Sequence, residues 1–149
     1  MNAYENSIND VFNNIYDSLN LVEQNMLKNS KLDLSICEIH FLHTIGKFEN
    51  GCSISDIARD NKVTLPTVTV AVQKLVNKKF VEKVRSTQDL RMVNVALTRQ
   101  GKKATAAHRF FHERMVRAFL KDVEEDVRPK LLQALSGLSD FLEQMGEAQ

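Results

Sequence analysis

The sequence predicts a mainly α-helical fold with one small β-hairpin, and three observations support this prediction. Apolar residues recur every three or four positions towards both ends of the chain, which is typical of amphipathic helices. The middle of the chain holds shorter helical segments that follow recognisable capping residues. Two stretches that alternate apolar and polar residues come next, between residues 80 and 97, and predict a pair of strands.

The composition is that of one folded domain. Of 149 residues, 43% are hydrophobic and 26% charged, and there are only five glycines and two prolines. These proportions exclude an intrinsically disordered or collagen-like chain. The longest uncharged segment, residues 63–73, has eleven residues. A helix that crosses a bilayer needs about 18 or more, so no membrane span is predicted.

The amino terminus and the cysteines both predict a cytoplasmic location. The segment MNAYENSIND lacks the basic region and apolar run of a secretory signal. Cys37 and Cys52 stand fifteen positions apart without a CxxC motif, which suits a reducing compartment and no thiolate zinc site. Because its sequence neighbours include no cation, Cys37 is expected to be a small buried hydrophobe and not a redox switch.

The net charge of +1 conceals an uneven distribution. Residues 53–103 contain 11 Lys and Arg against 4 Asp and Glu, a balance of +7. The flanking segments are acidic, at −4 for residues 1–52 and −2 for residues 104–149. A basic segment of this kind favours contact with phosphate groups.

An amphipathic helix is predicted at each end of the chain, the first over residues 5–28 and the last after about residue 127. Each carries one narrow apolar stripe. Stripes at opposite ends of a chain favour a helical dimerisation region, assigned here to residues 1–34 and 99–149. The stripes consist of Ile8, Phe12, Ile15, Leu19, Val22 and Met26, and of Val127, Leu131, Leu135, Leu138, Leu142 and Met145.

Two helices are predicted directly after the first stripe. One covers residues 35–48 and is ended by the turn signal Asn50-Gly51. Ser53 is placed to cap the next, which ends near residue 61, and Asp56 lies favourably in its first turn.

A third short helix is predicted over residues 65–79, with Thr64 as its cap. The β-branched run there also fits a strand, but Pro66 has no N–H for a strand ladder and fits the first helical turn without cost. The predicted buried face contains Val68, Ala71, Val72, Leu75 and Val76. The opposite face is polar and carries a single lysine, Lys74.

A β-hairpin and a long helix complete the predicted elements. The strands lie near residues 80–84 and 92–97, and a charged tip joins them. Thr98 caps a helix that runs to about Lys121.

Two short helices followed by a hairpin with a basic tip make a winged helix-turn-helix over residues 35–98, flanked by N- and C-terminal dimerisation helices. One helix of such a unit fits the major groove of DNA, and Arg side chains of the hairpin tip fit the minor groove. The predicted DNA-binding recognition helix presents Thr64, Pro66, Thr67, Thr69, Val70, Gln73 and Lys74. The predicted DNA-binding wing presents Arg85, Ser86, Gln88, Asp89 and Arg91.

These residues resemble the MarR family of transcription regulators over essentially the whole chain. Asp89-Leu90-Arg91, Leu97-Thr98 and Gly101 match the family's D-x-R … L-T-x-x-G signature. The stretches DLSICEIHFLHTIGK, VTLPTVTV and EKVRSTQDLRMVNVALT look most like repressors of bacterial type II fatty-acid synthesis. The resemblance implies a homodimer that binds a pseudo-palindromic double-stranded operator, with long-chain acyl groups on acyl carrier protein as effector.

The resemblance identifies no residues that contact an acyl chain. Three phenylalanines and one methionine of the long helix give the place for an apolar channel, although helical spacing favours a core role for them. They are Phe110, Phe111, Met115 and Phe119.

The histidines predict an alternative to the acyl effector, which is a metal site. His108 and His112 lie four apart on one helix, and Glu23 with His40 would complete four metal ligands. This set resembles the zinc-sensing branch of the same family. Two carboxylates of that branch are replaced here, by Ile39 and Ala107, so a second site is not expected.

The other interpretation of the histidines is hydrogen bonding across the helix junction, with no metal. On that interpretation His43 is a packing residue. The primary prediction is therefore a protein that requires no cofactor and no metal.

No catalytic signature is present. The chain lacks GxSxG, HExxH, a phosphate-binding glycine loop and a dinucleotide fingerprint, so an enzyme is not predicted. A helical adaptor that binds only protein is a remote alternative, but it needs no basic middle segment. A salt-sensitive mobility shift with mixed genomic DNA would separate the adaptor from the DNA-binding protein.

Overall fold

The computed structural model describes residues 1–86 and 93–147. It confirms a mainly helical chain with one antiparallel hairpin. The elements are α1 (Ala3–Asn29), α2 (Ile36–Ile45), α3 (Ile54–Asn61), α4 (Leu65–Asn77), β1 (Val81–Arg85), β2 (Val93–Leu97), α5 (Arg99–Leu120) and α6 (Arg128–Glu147). The chain divides into two compact units, Met1–His108 and Arg109–Gln149, and the division falls inside α5.

The core of the first unit is built from α2, α3, α4 and the hairpin. Ile45, Ile57 and Leu75 are fully buried there, and Val81 and Val95 close the core from the two strands. On α4 the predicted inner face is confirmed at Val68, Val72 and Leu75, while Ala71 and Val76 are partly buried.

Side-chain caps explain why the short helices begin where they do. Ser53 begins α3 by accepting from the backbone N–H of Asp56, and the Asp56 carboxylate accepts from the N–H of Ser53. Thr64 caps α4 as predicted, and Pro66 lies in its first turn. Ser35 and Glu38 form the same reciprocal capping box at the start of α2.

Two predicted helices end earlier than their apolar patterns indicate. The helix α2 ends at Ile45, not at residue 48, because Lys47 and Phe48 donate to carbonyls only three residues back. The helix α4 ends at Asn77, not at residue 79. Lys79 takes a left-handed conformation there, with φ of 64°, and Phe80 donates to the carbonyl of Leu75 at 2.9 Å.

The hairpin strands pair antiparallel, from Val81 opposite Leu97 to Arg85 opposite Val93. The strand β1 begins one residue later than predicted, and the predicted first residue of β2, at position 92, lies outside the described residues. Cys52 adds a bridge on the other side of β2, exchanging two backbone hydrogen bonds of 2.9 Å with Val95. This order of elements confirms the winged helix-turn-helix. Of the predicted tip, residues 85–91, the structure describes Arg85 and Ser86, and Arg85 belongs to β1; residues 87–91 lie outside the described residues.

Long apolar side chains remain on the surface of both units. In the first unit the predicted stripe of α1 is exposed at Ile8, Phe12, Ile15 and Val22. In the second unit α6 and the segment before it expose Val127, Leu135, Leu142 and Met145. None of the helices within the described ranges combines the length and apolar character needed to cross a bilayer.

Candidate nucleic-acid interface

The outer face of α4 is the centre of the candidate interface. Every residue predicted for this face is exposed: Thr64, Pro66, Thr67, Thr69, Val70, Gln73 and Lys74. The Thr69 hydroxyl donates to the carbonyl of Leu65 at 2.8 Å, and the residue is exposed. The Gln73 amide donates to the Asn77 side chain at 3.1 Å on the exposed surface. The face thus offers methyl groups, hydroxyls and one amide, which are the groups that match base edges.

The turn between α3 and α4 is held by a polar contact within the core. The Asn61 amide donates to the Thr44 hydroxyl and to the carbonyl of Ile57, both at 2.9 Å. Lys62 takes a left-handed conformation, with φ of 53°, that ends α3 and turns the chain into the next helix. Because Thr44 is buried on α2, this bond joins the end of α3 to α2 just before the chain turns into α4.

The structure describes only two of the predicted wing residues. Arg85 is exposed at the end of β1 and fits a DNA contact. Ser86 is only 7% exposed, so it is a weaker candidate for one. Gln88, Asp89 and Arg91 lie outside the described residues, and their part in DNA binding stays a prediction.

Several cations around α4 are available to phosphates. Within residues 1–86 and 93–147, Lys74, Lys79 and Arg85 form no ion pair with an acidic side chain. Two neighbours differ, since Lys47 lies 3.6 Å from the Asp60 carboxylate and Arg59 donates to Asp56 at 2.8 Å. Within the described residues, the positive charges of Lys74, Lys79 and Arg85 are therefore not neutralised by an acidic side chain and are available to the phosphates of an outside partner.

Sequence patterns did not indicate the contacts at the ends of α4. Lys78 binds Glu38 and Asp33 on the segment that begins α2. Beside this ion pair an open groove of about 950 Å³ runs from Leu34 and Phe41 to the outer face of α4 at Thr67 and Val70. Only the tertiary structure brings residues 33–41 beside α4, so local periodicity carries no sign of it.

Three of the four predicted metal ligands meet in the first unit. Glu23 of α1 is 6% exposed, and its Oε1 lies 3.3 Å from Nε2 of His108 and 3.7 Å from Nε2 of His40. The His40 and His108 rings are in edge contact at 5.6 Å. His112 follows His108 by four residues on α5. His43 is exposed, and its ring packs in a T-shaped arrangement against that of His108 at 6.0 Å between centroids, so its predicted packing takes place at the surface and not in the core.

The two cysteines have opposite environments. The prediction that Cys37 is buried is wrong: it is exposed, because α2 turns Glu38, Ile39 and Phe41 inward and leaves position 37 outside. Cys52 is the buried one, at 1% exposure. Burial, with Asp56 and Asp60 nearby, raises the pKa of the Cys52 thiol to about 12.

The three phenylalanines and the methionine of α5 singled out from the sequence do not form a core in the single chain. Phe110 is 59% exposed, Phe119 is 50% exposed, Met115 is exposed as well and Phe111 is partly buried. The core role that their helical spacing favoured is therefore wrong for these residues within one chain. Such a surface is available to a second chain or to an apolar ligand.

Comparisons with known proteins agree with this geometry. A crystal structure of FabT from Streptococcus pneumoniae in complex with DNA is 32% identical, covers 95% of this chain and 99% of its own, and superposes with a TM-score of 0.82. The Staphylococcus aureus MepR–DNA complex has a TM-score of 0.73 at 22% identity, covering 89% of this chain and 94% of its own, and shows the fold alone.

A curated relative gives the same class. The uncharacterised HTH-type transcriptional regulator YhjH of Bacillus subtilis is 28% identical over 103 residues, which are 69% of this chain and 58% of the relative. This chain thus spans less than two thirds of that protein.

A family model settles the assignment. The model of the transcriptional regulators SarA/Rot matches residues 24–107, more than half of the chain, and includes α2 to β2 with the histidine at position 40. This match and its relatives describe DNA-binding regulators and not enzymes. The chain belongs to the SarA/Rot family of transcriptional regulators, which have a MarR-like winged helix.

Proposed function

We propose that the protein is a homodimeric repressor that reads a specific operator through the outer face of α4. The observation that carries the proposal is this exposed face of short polar and methyl-bearing side chains, on a helix whose opposite face is fixed in the core. Such side chains discriminate bases by direct contact in the major groove, while Arg85 and the other exposed cations bind phosphates.

The exposed apolar stripes support a dimer. A single chain leaves Ile15 of α1 at 53% exposure and Leu142 of α6 at 59%. Apolar side chains left exposed along a helix in this way are costly in water and are usually covered by a partner. Twofold symmetry would place two α4 helices about one turn of DNA apart, at roughly 34–36 Å, and would require a pseudo-palindromic operator.

Recovery of bound DNA from the source genome tests this function. We expect a short sequence with twofold symmetry to be enriched upstream of a limited set of genes. Mobility shifts with that sequence and with a scrambled duplex should then show preference for the operator and a steep loss of affinity with salt. A helical adaptor would bind neither duplex, and that result would contradict the proposal.

For the regulated genes we propose fatty-acid biosynthesis, with long-chain acyl-acyl carrier protein as effector. The support is the likeness of three stretches, which cover α2, the first half of α4 and most of the hairpin, to the fatty-acid repressors of the MarR family. The exposed aromatic surface of α5 gives an acyl chain apolar side chains to contact. Burial of six further methylenes is worth about 5 kcal/mol before ordering costs, so long chains should outcompete short ones.

Chain length is the test of this effector. Long-chain acyl carrier protein should change operator affinity at least tenfold, which is about 1.4 kcal/mol of coupling. Octanoyl carrier and free carrier are the matched controls and should change it little. If the recovered promoters belong to other pathways and no acyl carrier has an effect, the fatty-acid branch is excluded while DNA binding stands.

A second candidate effector is zinc, because Nε2 of His108 and Nε2 of His40 both lie within 3.7 Å of the Glu23 carboxylate. Two ligands of a tetrahedral ion at 2.0–2.1 Å stand about 3.3–3.4 Å apart, and the observed N···O separations of 3.3 and 3.7 Å are close to this. Zinc would predict that a chelator abolishes operator binding and that His108→Ala with His112→Ala mimics the chelator. His43→Ala is the control. Operator binding that does not change when the chelator is added would exclude zinc as the effector.

A further inference from the structure

An ion pair joins the end of α4 to the start of α2. The ammonium of Lys78 lies 3.1 Å from Oε1 and 3.2 Å from Oε2 of Glu38. It also donates to the backbone carbonyl of Asp33 at 2.7 Å, and the Asp33 carboxylate is 3.5 Å away. The two elements are thus linked by three hydrogen bonds between residues 40 or more positions apart in sequence.

Glu38 is fixed from the other side as well. It is 7% exposed, and Oε2 accepts from the backbone N–H of Ser35 at 2.8 Å. The same carboxylate therefore completes the cap of α2 and binds the ammonium of Lys78. A buried carboxylate with these partners has little rotational freedom, and removal of its counter-charge is costly.

Lys78 is held equally well by its backbone. It is the C-cap residue of α4, and its N–H donates to the carbonyl of Lys74 at 2.9 Å. The left-handed Lys79 and the bond from Phe80 to the carbonyl of Leu75 close the helix end around it. The ion pair therefore links a well-defined end of α4 to the start of α2.

We infer that Lys78 and Glu38 are positioning residues, which set the orientation in which α4 presents Gln73 to the bases. This inference rests on the proposed DNA-binding function. Bidentate contacts with base edges require placement within about 0.5 Å and 10–20°, so a pivot at one end of a 13-residue helix is enough to weaken them.

A direct phosphate contact by Lys78 is the competing role, and the geometry disfavours it. An ammonium has three N–H donors. Here it faces three acceptors at hydrogen-bond distance, the Asp33 carbonyl and both Glu38 oxygens. The side chain is also only 26% exposed. Lys74, one turn earlier, is exposed and forms no ion pair among the described residues, so it is the matched residue for a phosphate contact.

The test compares Glu38→Gln, Lys78→Met, the double variant and Lys78→Arg with Lys74→Met. Full-length proteins are titrated against the recovered operator and a scrambled duplex at several salt concentrations. Gln keeps the capping geometry of Glu38 without its charge, and Arg keeps the charge and the donors of Lys78. Circular dichroism and stoichiometric titration establish the folded, active fraction of each variant.

We expect both single variants to lose about fivefold to tenfold in the operator-to-scrambled affinity ratio, with an unchanged salt slope. The double variant should lose no more than either single one, and Lys78→Arg should regain the ratio. Lys74→Met should instead weaken both duplexes alike and lower the salt slope by about one.

Three results would overturn the inference. They are an unchanged ratio in Glu38→Gln, additive losses in the double variant, or a lower salt slope in Lys78→Met. Should Glu38→Gln fail to fold, Lys78→Met and Lys78→Arg still decide between positioning and phosphate contact. A wild-type protein that does not distinguish the two duplexes would contradict the proposed function itself, which is a separate outcome.

Discussion

The backbone N–H of Thr98 donates to the carbonyl oxygen of Phe80 at 3.1 Å. The Thr98 hydroxyl lies 3.1 Å from the same oxygen and makes its shorter hydrogen bond to the neighbouring carbonyl of Lys79, at 2.7 Å. The same hydroxyl caps α5, because it accepts from the N–H of Gly101 at 3.2 Å. The start of α5 is thereby pressed against the chain that leaves α4. This contact gives a physical reason for the L-T-x-x-G part of the sequence signature.

Gly101→Ala is expected to destabilise the fold by about 2–4 kcal/mol. An added Cβ would overlap the carbonyl oxygen of Phe80, and backbone has to shift to relieve the overlap. Urea unfolding at fixed protein concentration measures the change. Gly137→Ala is the control, since its Cβ would meet nothing within 4 Å on α6 and should stabilise by up to about 1 kcal/mol. Equal effects of the two substitutions would contradict this packing.

Asp56→Asn should cost roughly 1 kcal/mol at neutral pH and less in acid. The hydrogen bonds from the Ser53 hydroxyl and backbone N–H, and then Arg59, lower the pKa of Asp56 below 3.8. A lowered pKa contributes stability that is present above the unfolded value and is lost as pH falls through the folded value. The measurement is the free energy of unfolding of both proteins at pH 7 and near pH 3.

The difference between wild type and Asp56→Asn should shrink at the lower pH. Glu49→Gln, an exposed acid just before the same helix, serves as the control and should show a small difference at both values. A gap that stays constant with pH would show that the Asp56 charge does not stabilise the cap.

The native protein should expose one reactive thiol per chain. Cys37 is accessible, whereas the thiol of Cys52 has its pKa raised to about 12 and is buried beside Val95, so it stays protonated at neutral pH. Titration with a chromogenic disulfide should count one thiol in the folded protein and two after unfolding. Cys37→Ser should reduce the native count to zero, and two fast thiols in wild type would refute the assigned burial of Cys52.

The sequence predicted the helices that have caps and missed contacts between distant segments. Thr64 and Ser53 signal helix starts locally, so α3 and α4 begin where expected. The early ends of α2 and α4 depend on the turn at Lys47 and on the left-handed conformation of Lys79. A lysine in the sequence does not predict a left-handed conformation.

In the candidate site, too, the features with a local sequence signal were predicted and those that depend on long-range packing were not. The outer face of α4 follows from helical periodicity, and every predicted member is exposed. The exposure of Cys37 and the Lys78–Glu38 ion pair depend on how α2 packs against its neighbours, and no local pattern encodes that packing. The aromatic side chains of α5 were assigned to a core because periodicity marks an apolar face without saying which chain covers it.

Removal of one side chain should change DNA binding differently in the wing and in the recognition helix. Arg91→Ala should weaken binding by roughly 1–3 kcal/mol on every DNA and lower the salt slope by about one, because it removes one cation from the phosphates or the minor groove.

Gln73→Ala should affect the operator more than the scrambled duplex, since its exposed amide is placed for base contact and carries no charge. Asn77→Ala is the matched control, because it removes the Gln73 partner on the same face and leaves the amide in place. Titrations of both duplexes at several salt concentrations supply all three comparisons. Equal losses on both duplexes for Gln73→Ala would mean that α4 does not read bases, and the sequence specificity would then have to come from the wing or from DNA shape.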